Sequence, residues 1–477
     1  MSDATLERVV IIGGGVGGLM AALAFGRAGH QITLLERDPL PPTAGAEEAF
    51  VAERRGAPQV HQTHGFLARL QVTLRERFPD VLADLLAAGG STLPMTRDLG
   101  EPQPGDEDLQ VIIVRRTTLE WVIRKAAMAQ PHVEVHTGVT VAGLVAGAPA
   151  ADGTPVVTGV RLDDGTTLDA DLVIASTGRR GDVPGWLAEL GVAAPETIHE
   201  SGLMYLTRWY RNPQVDVPVD AKLGGDLGFV KFLGIPGDGG TLSITLAVRT
   251  ADSELRSALS DPERFDQACQ LLPGPDIFFR DGPMEPIGSV RPMTGLLNRL
   301  RRFTDDDGRP TVLGFHAIGD CHTTTNPLYG RGCSLAAVQA TLLVDATTAH
   351  PGDPLGRAAE YEAASAREVE PWYEASVQMD RMGADPSGKA GFGGGGEGDG
   401  ARVVGALFAA AATDPILGRA LARLMNLLTL PSQLMSDPAV LARAAEVMSN
   451  PDAYPVPASA GPTRTDLLES LAASPAA

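Results

Sequence analysis

The first 36 residues contain a strand, a glycine turn, a helix and a second strand that ends on an acid. Arg8 to Ile12 is a short apolar run with β-branched residues, as a buried parallel strand requires. Gly13, Gly15 and Gly18 follow in GxGxxG spacing, which allows a tight turn, the close approach of a pyrophosphate and close packing of helix on strand. The order of these parts predicts a dinucleotide-binding βαβ unit and therefore an α/β fold.

A carboxylate closes this unit. The residues after the turn continue at helical spacing, so a helix N-terminus would point its free N–H groups at the phosphates. The second strand starts at Gln31 and ends on Glu36, about 20 residues beyond the glycines, where an acidic side chain binds the adenosine ribose hydroxyls. Arg37 and Val139 are further candidate cofactor-binding residues.

Composition limits the partners and the compartment. The 59 acidic residues exceed the 39 basic ones, and the net charge of −20 argues against nucleic acid and against an anionic membrane surface. Cys269, Cys321 and Cys333 form no CxxC pair, which predicts a reducing cytoplasm without disulfides or a metal site. The chain enters its first strand almost at once, and its most suggestive apolar run, Val403 to Ala412, is too short to span a bilayer. We expect a soluble cytoplasmic protein with no signal peptide and no membrane span.

A second glycine-containing segment lies far along the chain. Thr311 to Ile318 is predicted to be a strand, and Cys333 to Thr348 has a helical pattern without breakers. The segment between them reads Gly319-Asp320-Cys321-His322-Thr323-Thr324-Thr325-Asn326-Pro327-Leu328-Tyr329-Gly330-Arg331-Gly332. In this order and at this separation, the two glycine segments resemble the FAD-binding signatures of the single-component flavoprotein monooxygenases. That superfamily includes the p-hydroxybenzoate hydroxylase and squalene epoxidase branches, and its actinobacterial epoxidase-like members are similar to this chain.

The resemblance implies a domain organisation. It implies a FAD-binding Rossmann-like domain of the glutathione reductase type at residues 1–185, to which residues 305–350 return. A substrate-binding domain with an antiparallel β-sheet would be inserted at residues 186–304. A C-terminal helical region would follow at residues 351–477, with a glycine-rich flexible linker at residues 391–400.

The resemblance also implies roles for the second glycine segment. Asp320 of the Gly319–Asp320 pair would hydrogen-bond the ribityl chain of FAD, while Pro327, Gly330 and Gly332 would let the backbone lie against the flavin ring. The helix that begins near Cys333 would aim its N–H groups at flavin N1 and C2=O and stabilise the negative charge of the reduced ring. Pro327 and Gly332 are therefore candidate catalytic positions, and Cys333 is a candidate cofactor-binding residue.

Two further candidates lie between the glycine segments. Arg116, three residues before Leu119, resembles the Arg-x-x-Leu helix start that contacts the cofactor in the family; a surface ion pair is the alternative. His64 ends a segment, Pro58 to His64, that is similar to the family loop descending toward the flavin. It is a candidate catalytic residue that would orient a hydroperoxide, and capping of the following helix is the alternative.

The hydrophobic period changes to two from about Ser201. In Thr241 to Arg249, apolar residues alternate with Thr241, Ser243 and Thr245, which predicts an antiparallel sheet with one buried face. The resemblance implies that this sheet covers the isoalloxazine in the substrate domain. A sheet with a purely structural role is the alternative.

Local signals predict several helix ends. Thr117 and Glu120 form a capping-box pattern, and Asp414 and Asp437 each precede a proline as N-cap residues. We expect the last dozen or so residues to be frayed.

The resemblance implies a FAD-dependent monooxygenase. Reduced FAD would react with dioxygen at C4a, and the resulting (hydro)peroxyflavin would hydroxylate or epoxidise a small hydrophobic aromatic or alkene substrate. The chain contains one strand-glycine-helix-acid unit, so electrons would come from NAD(P)H bound transiently or from a separate flavin reductase. Thr177-Gly178-Arg179 stands where aromatic hydroxylases have an Asp-Gly motif that serves NADPH, which puts its direct use in doubt. A homodimer is also an expectation.

Other functions use the same two glycine segments. A flavin dehydrogenase or reductase of the geranylgeranyl reductase type would have a similar Asn326-Pro327-Leu328 without activating oxygen. A flavin-dependent halogenase would share them too, but the Trp-x-Trp-x-Ile-Pro signature is absent from the sequence. A non-enzymatic flavin-bound sensor would not need the pattern of a whole substrate domain.

Overall fold

The computed structural model describes residues 6–40, 43–211, 223–383, 399–454 and 461–473. Its strands are β1 (Arg8–Ile12), β2 (Gln31–Glu36), β3 (Ser91–Pro94), β4 (Gln110–Ile113), β5 (Val133–Thr137), β6 (Val141–Ala146), β7 (Val157–Leu162), β8 (Thr167–Asp169), β9 (Leu172–Ala175), β10 (Glu196–Glu200), β11 (Leu203–Arg211), β12 (Gly224–Asp226), β13 (Val230–Gly237), β14 (Thr241–Arg249), β15 (Pro286–Met293), β16 (Leu297–Arg301), β17 (Phe315–Ala317) and β18 (Thr323–Thr324).

The helices follow the same chain order. They are α1 (Val16–Arg27), α2 (Ala46–Val51), α3 (Ala68–Arg77), α4 (Pro79–Ala87), α5 (Arg116–Met128), α6 (Val183–Ala188), α7 (Ser253–Ser260), α8 (Pro262–Leu271), α9 (Gly332–Ala349), α10 (Pro354–Glu368), α11 (Glu370–Gly383), α12 (Asp399–Ala410), α13 (Pro415–Met425), α14 (Pro431–Leu434), α15 (Pro438–Ser449) and α16 (Arg464–Ala473).

A parallel five-stranded sheet carries both glycine segments. Its order is β17-β9-β1-β2-β5, so the strand before the first segment and the strand before the second are separated by β9 alone. Helices α1, α5 and α9 cover one face in one apolar core, and the small β6-β7-β8 sheet and α6 contribute to the core on the other face. Strand β1 is buried on both faces, which explains its unbroken apolar run. The predicted α/β fold is confirmed.

The second large sheet is antiparallel, with the order β12-β13-β14-β11-β15. One face packs on α7, α8 and α16. The prediction of a single buried face is wrong, because Thr241 and Ser243 on the polar face are 1% and 2% exposed. That face is covered by the segment before α3, where Thr245 donates a hydrogen bond to Thr63 over 2.8 Å. The polar face is thus an internal surface.

Three local predictions are corrected. No capping box forms at α5: the helix begins at Arg116, and Glu120 makes ion pairs instead of capping the helix. The C-terminus is not frayed through its last dozen residues, because Leu467 and Leu471 of α16 are buried against the antiparallel sheet unit. Residues 391–398 of the predicted glycine-rich linker lie outside the described residues. Its last two residues are not linker, because α12 begins at Asp399.

Of the remaining C-terminal helices, α10 and α11 contact the second glycine segment. Helix α10 packs on α9, α11 lies against β16 and β18, and α12 to α15 form a separate apolar cluster with residues of α9 and α11. Asp414 and Asp437 cap α13 and α15 as predicted. Among the described residues, no single helix is long and apolar enough to cross a membrane; Gly400–Ala410 and Pro415–Met425 pass that test only as a pair, with a bend of 115° between them. The predicted domain boundaries stay a prediction.

Candidate active site

The three glycines of the first turn have different surroundings. Gly13 adopts a φ of +106°, and a Cβ on it would lie 2.3 Å from the Ser176 carbonyl oxygen. A Cβ on Gly18 would lie 1.9 Å from the Gly13 carbonyl oxygen, whereas a Cβ on Gly15 would meet nothing within 4 Å. Gly15 also precedes α1, whose N-terminus has no side-chain cap. The fold therefore requires Gly13 and Gly18, while Gly15 borders open space in front of free helix N–H groups, where an anion is stabilised.

Glu36 lies beside that space. Its two carboxylate oxygens accept hydrogen bonds from the backbone N–H groups of Gly14 over 2.7 Å and Asp38 over 2.8 Å. Each oxygen keeps a further acceptor position, which suits a pair of ribose hydroxyls. The N–H of Val139 donates to the Glu36 carbonyl over 3.0 Å, and Arg37 is exposed directly after it. The structure thus brings Glu36 and Val139 together.

A buried arginine that the sequence did not indicate lies behind Glu36. Arg54 pairs with Glu120 at 2.5 Å, with Asp38 at 3.3 Å and with Glu36 at 3.7 Å. Burial acts to raise the pKa of Glu120, but the charges of Arg54 and Arg116 outweigh it and hold that pKa at about 2. A charged network therefore joins the acid at the end of β2 to the start of α5.

Arg116 and His64 are in contact. Arg116 pairs with Glu120 at 2.9 Å through Nε, and its Nη1 lies 3.4 Å from His64 Nε2. His64 Nδ1 lies 2.9 Å from the Gln62 carbonyl oxygen, which can only accept, so Nδ1 carries the proton and Nε2 accepts from Arg116. Burial and then the Arg116 charge lower the pKa of His64 to about 3. The imidazole is neutral at physiological pH and orients Arg116, and it does not cap α3.

Asp320 is the acid of the second segment. Its carboxyl group is surrounded by Arg116, Arg179 and Arg299, yet burial outweighs these charges and raises its pKa. In the described part of the chain, no group donates a hydrogen bond to this carboxylate. Gly319 adopts a φ of +61° and donates its N–H to Gln339 over 2.8 Å, which fixes the turn. Asp320 is therefore available to a hydroxyl group of a ligand.

Gly332 begins α9, the second uncapped helix N-terminus of the site. The nearest atom to a Cβ on Gly332 would be Asp320 Oδ1 at 3.9 Å, so Gly332 borders open space as Gly15 does. Gly330 adopts a φ of +67°, which turns the chain after Pro327 into the helix. Burial raises the pKa of Cys333 in the first turn of α9, and it remains a thiol.

The polar face of the antiparallel sheet covers the second segment. Tyr205 donates its hydroxyl proton to Asn326 Oδ1 over 3.1 Å, directly before Pro327. On the same face Thr207 donates to Gln62 Oε1 over 2.5 Å, and Trp209 donates to the His61 carbonyl over 2.6 Å. Together these contacts join the polar sheet face to the second segment and to the segment before α3. The described residues include no group of three His, Cys, Asp or Glu side chains that could hold a metal ion.

Two residues beside the site escaped sequence reasoning, Arg54 and Asp380. Arg54 lies between α2 and α3, and no local sequence motif marks it. Asp380 binds the second segment from α11. The sequence placed this helix only within the C-terminal helical region and gave it no role at the site. Both residues act across a large sequence separation, so only the folded structure reveals them.

Comparisons with known proteins agree with this geometry. Residues 8–100 match the family model of the FAD dependent oxidoreductases. A kynurenine 3-monooxygenase of Salinispora tropica is 26% identical over 388 residues, which cover 75% of this chain and 76% of the relative.

Solved structures share the fold. The p-nitrophenol 4-monooxygenase PnpA of Pseudomonas putida has a TM-score of 0.62 at 18% identity, and the match covers 89% of this chain and 99% of PnpA. The flavin-dependent brominase Bmp2 has a TM-score of 0.60 at 15% identity, and the match covers 94% of this chain and all of that one.

Proposed function

We propose that this chain, an FAD-dependent monooxygenase of the p-hydroxybenzoate hydroxylase-like superfamily, hydroxylates a small aromatic substrate that carries an acidic group. Recognition of the superfamily from the two glycine segments is confirmed by the family match and by the kynurenine 3-monooxygenase relative. The substrate class is our inference. The observation that carries it is the polar sheet face that lies over the second glycine segment, where Tyr205 donates to Asn326.

The residues of the site fit FAD. Open space at Gly15 and Gly332 lies in front of two uncapped helix N-termini, which suit the pyrophosphate and the flavin N1 and C2=O edge. Glu36 would accept from the ribose hydroxyls and Asp320 from the ribityl chain. Bound FAD supplies the redox chemistry, since it activates dioxygen once it is reduced.

The chain itself binds, orients and excludes water. The N-terminus of α9 would stabilise negative charge at the pyrimidine edge of the ring. Arg116, held by Glu120 and by neutral His64, would place a fixed positive charge at the cofactor. The sheet would keep water from the reacting atoms. In this proposal His64 is a positioning residue, because a group with a pKa of about 3 does not exchange protons near neutral pH.

Arg291 supports an acidic group on the substrate. It lies on edge strand β15 opposite Thr207, so its side chain shares the sheet face that covers the site. Its guanidinium has no hydrogen-bond or ion-pair partner in the described part of the chain, and guanidinium binds carboxylate well. The relative named for kynurenine and the neighbour named for p-nitrophenol act on aromatic compounds, which favours an aromatic ring.

The electron donor remains part of the proposal. NAD(P)H that binds transiently, or a separate flavin reductase, would reduce the cofactor, and a homodimer is compatible with either. Anaerobic reduction by NADPH and NADH, with and without aromatic acids, tests whether NAD(P)H reduces the bound flavin directly. Reduction that requires an added flavin reductase would favour the partner.

Labelled dioxygen tests the function. The FAD-loaded protein with reductant and a panel of aromatic acids should yield a product that contains one ¹⁸O atom from ¹⁸O₂, and Arg291→Gln should raise KM for the acid without lowering FAD content. Reduction of an alkene without oxygen incorporation would contradict the monooxygenase proposal and favour the reductase alternative. Halogenated product in the presence of bromide or chloride would favour the halogenase, and equal KM values for wild type and Arg291→Gln would contradict the acidic substrate.

A further inference from the structure

Asp380 binds the second glycine segment from outside. It lies on α11, is 9% exposed, and accepts three hydrogen bonds from neutral groups. Asn326 Nδ2 and the Tyr329 hydroxyl donate to Oδ1, each over 2.7 Å, and Asn298 Nδ2 donates to Oδ2 over 2.7 Å. In the described residues no basic side chain forms an ion pair with Asp380. The charge of Arg331 acts on Asp380 without a direct ion pair. A buried carboxylate with three neutral donors binds them tightly, because little solvent is present to replace them.

The carboxylate fixes the orientation of two buried amides. A carboxylate only accepts, so the NH₂ groups of Asn298 and Asn326 must both point toward Asp380. Their oxygens then face the other way. Asn298 Oδ1 accepts from the N–H of Asn326 over 2.8 Å, and Asn326 Oδ1 accepts from the N–H of Leu328 and from Tyr205, each over 3.1 Å. Every amide atom therefore has a partner of the right kind.

The same helix holds the far end of the turn. The guanidinium of Arg331 is buried and lies over the rings of Tyr329 and Trp372, at 5.0 Å and 5.5 Å from their centres. Its Nη1 donates to the Trp372 carbonyl over 3.2 Å and to the Ser376 hydroxyl. Helix α11 thus binds Tyr329 and Arg331, the residues on either side of Gly330. The left-handed conformation of Gly330 leads into α9.

We propose that Asp380 is a positioning residue that sets the conformation of residues 326–331 and so the contact of this turn with the flavin ring. The proposal uses the FAD assignment but not the substrate class. Asp380 would not touch the cofactor; it acts through Asn326 and Tyr329. Tyr205 of the antiparallel sheet donates to the same Asn326 amide. By orienting that amide, Asp380 would also fix the position of the sheet relative to the turn.

The first test is the affinity of the apoprotein for FAD, measured by quenching of flavin fluorescence without any substrate. Asp380→Asn keeps one acceptor oxygen and places its NH₂ group against the NH₂ group of either Asn298 or Asn326, so it should weaken FAD binding at least tenfold. Glu374→Gln, which removes an exposed acid from the same helix, is the matched control and should stay within twofold of wild type. Equal affinities of Asp380→Asn and wild type would overturn the proposal.

A reciprocal exchange tests the hydrogen-bond directions. In Asp380→Asn/Asn326→Asp, residue 380 donates to the new carboxylate, which still accepts from Leu328 and Tyr205, so the double variant should recover most of the lost affinity. A double variant no tighter than Asp380→Asn would contradict the argument. If Asp380→Asn does not fold, as judged by thermal unfolding of the apoprotein, Tyr329→Phe removes one donor alone and should weaken binding about threefold; unchanged affinity there would overturn the proposal.

A second readout separates positioning from simple structural support. A displaced turn changes the contact with the pyrimidine edge, so Asp380→Asn should alter the ratio of affinities for reduced and oxidised FAD by about threefold. For a two-electron couple this corresponds to a shift of about 14 mV in midpoint potential. A weaker FAD complex with an unchanged potential would show that Asp380 supports the protein without positioning the ring, and would contradict us. Failure of the substrate proposal leaves all these measurements unaffected.

Discussion

The two glycine turns that face the cofactor site are held by different means. The first turn is held by backbone: the N–H of Gly13 donates to the Leu35 carbonyl over 2.8 Å, and Gly18 lies so close to the Gly13 carbonyl that no Cβ fits between them. The second turn is held by side chains, chiefly Asp380 and Tyr205, which come from a distant helix and a distant sheet. A turn built from backbone depends on a few local glycines, whereas a turn held by side chains depends on the tertiary structure around it.

The largest effect is expected from a substitution within the first turn itself. Gly18→Val would place a Cβ 1.9 Å from the Gly13 carbonyl oxygen, and because this neighbour is backbone, a small side-chain adjustment cannot relieve the clash. We expect the apoprotein to lose about 3 kcal/mol or more of unfolding free energy. Chemical denaturation of the apoprotein measures this loss. A Gly18→Val apoprotein as stable as wild type would show that the first turn is not held by backbone contact.

The second largest effect concerns binding without loss of fold. Gly15→Val projects into open space, so the apoprotein should keep its stability. The side chain would occupy the region in front of the α1 N-terminus, and FAD affinity should fall at least about 100-fold, or ~2.7 kcal/mol. FAD content after purification and apoprotein titration measure this change. A yellow, FAD-loaded Gly15→Val protein would contradict the position of the pyrophosphate.

This contrast explains what the sequence could predict. The bounds of β1 and β2 and the acid Glu36 were predictable, because glycine spacing and apolar runs are local signals. The turn-forming residues Gly319 and Gly330 were likewise predicted to lie in the second segment, and both have positive φ angles. Their roles in binding FAD stay predictions until a variant is measured.

Other parts of the site have no local signal. Arg54 reaches Glu120 across 66 residues, and Asp380 reaches Asn326 across 54. The alternation in β14 predicted only one buried face, because a period of two reports alternation but not what covers either side. The capping-box pattern at α5 was misleading for a similar reason: Glu120 has two arginine partners, which bind it more strongly than a backbone N–H would.

A smaller effect is expected at the second turn. Gly332→Leu also faces open space, with Asp320 Oδ1 the nearest atom to its Cβ, so the apoprotein should fold normally. The side chain would have to displace the flavin ring or tilt α9, and FAD affinity should fall about tenfold. Oxygenation should be lost even in molecules that retain FAD. Tight FAD binding with normal product yield in Gly332→Leu would show that the turn does not contact the ring.

The smallest expected effect is on the pH dependence of stability. It comes from His64, which contacts Arg116 between the two turns. The folded pKa of His64, about 3, lies below the usual histidine value near 6.5, so between these values the unfolded chain binds a proton that the folded chain does not. Stability should therefore fall as the pH decreases from about 6.5 toward 3. His64→Gln keeps an acceptor for Arg116 but does not titrate, so its stability should decrease less.

Between pH 7 and pH 5.5 we expect wild type to lose about 1 kcal/mol more than His64→Gln, a value discounted for the partial exposure of the imidazole. Urea unfolding at both pH values measures the difference, and His136→Gln, which changes an exposed histidine, is the control. Parallel pH profiles for wild type and His64→Gln would mean that His64 is not held neutral beside Arg116. Glu120, and not His64, would then be the partner that fixes the guanidinium between the first turn and the second.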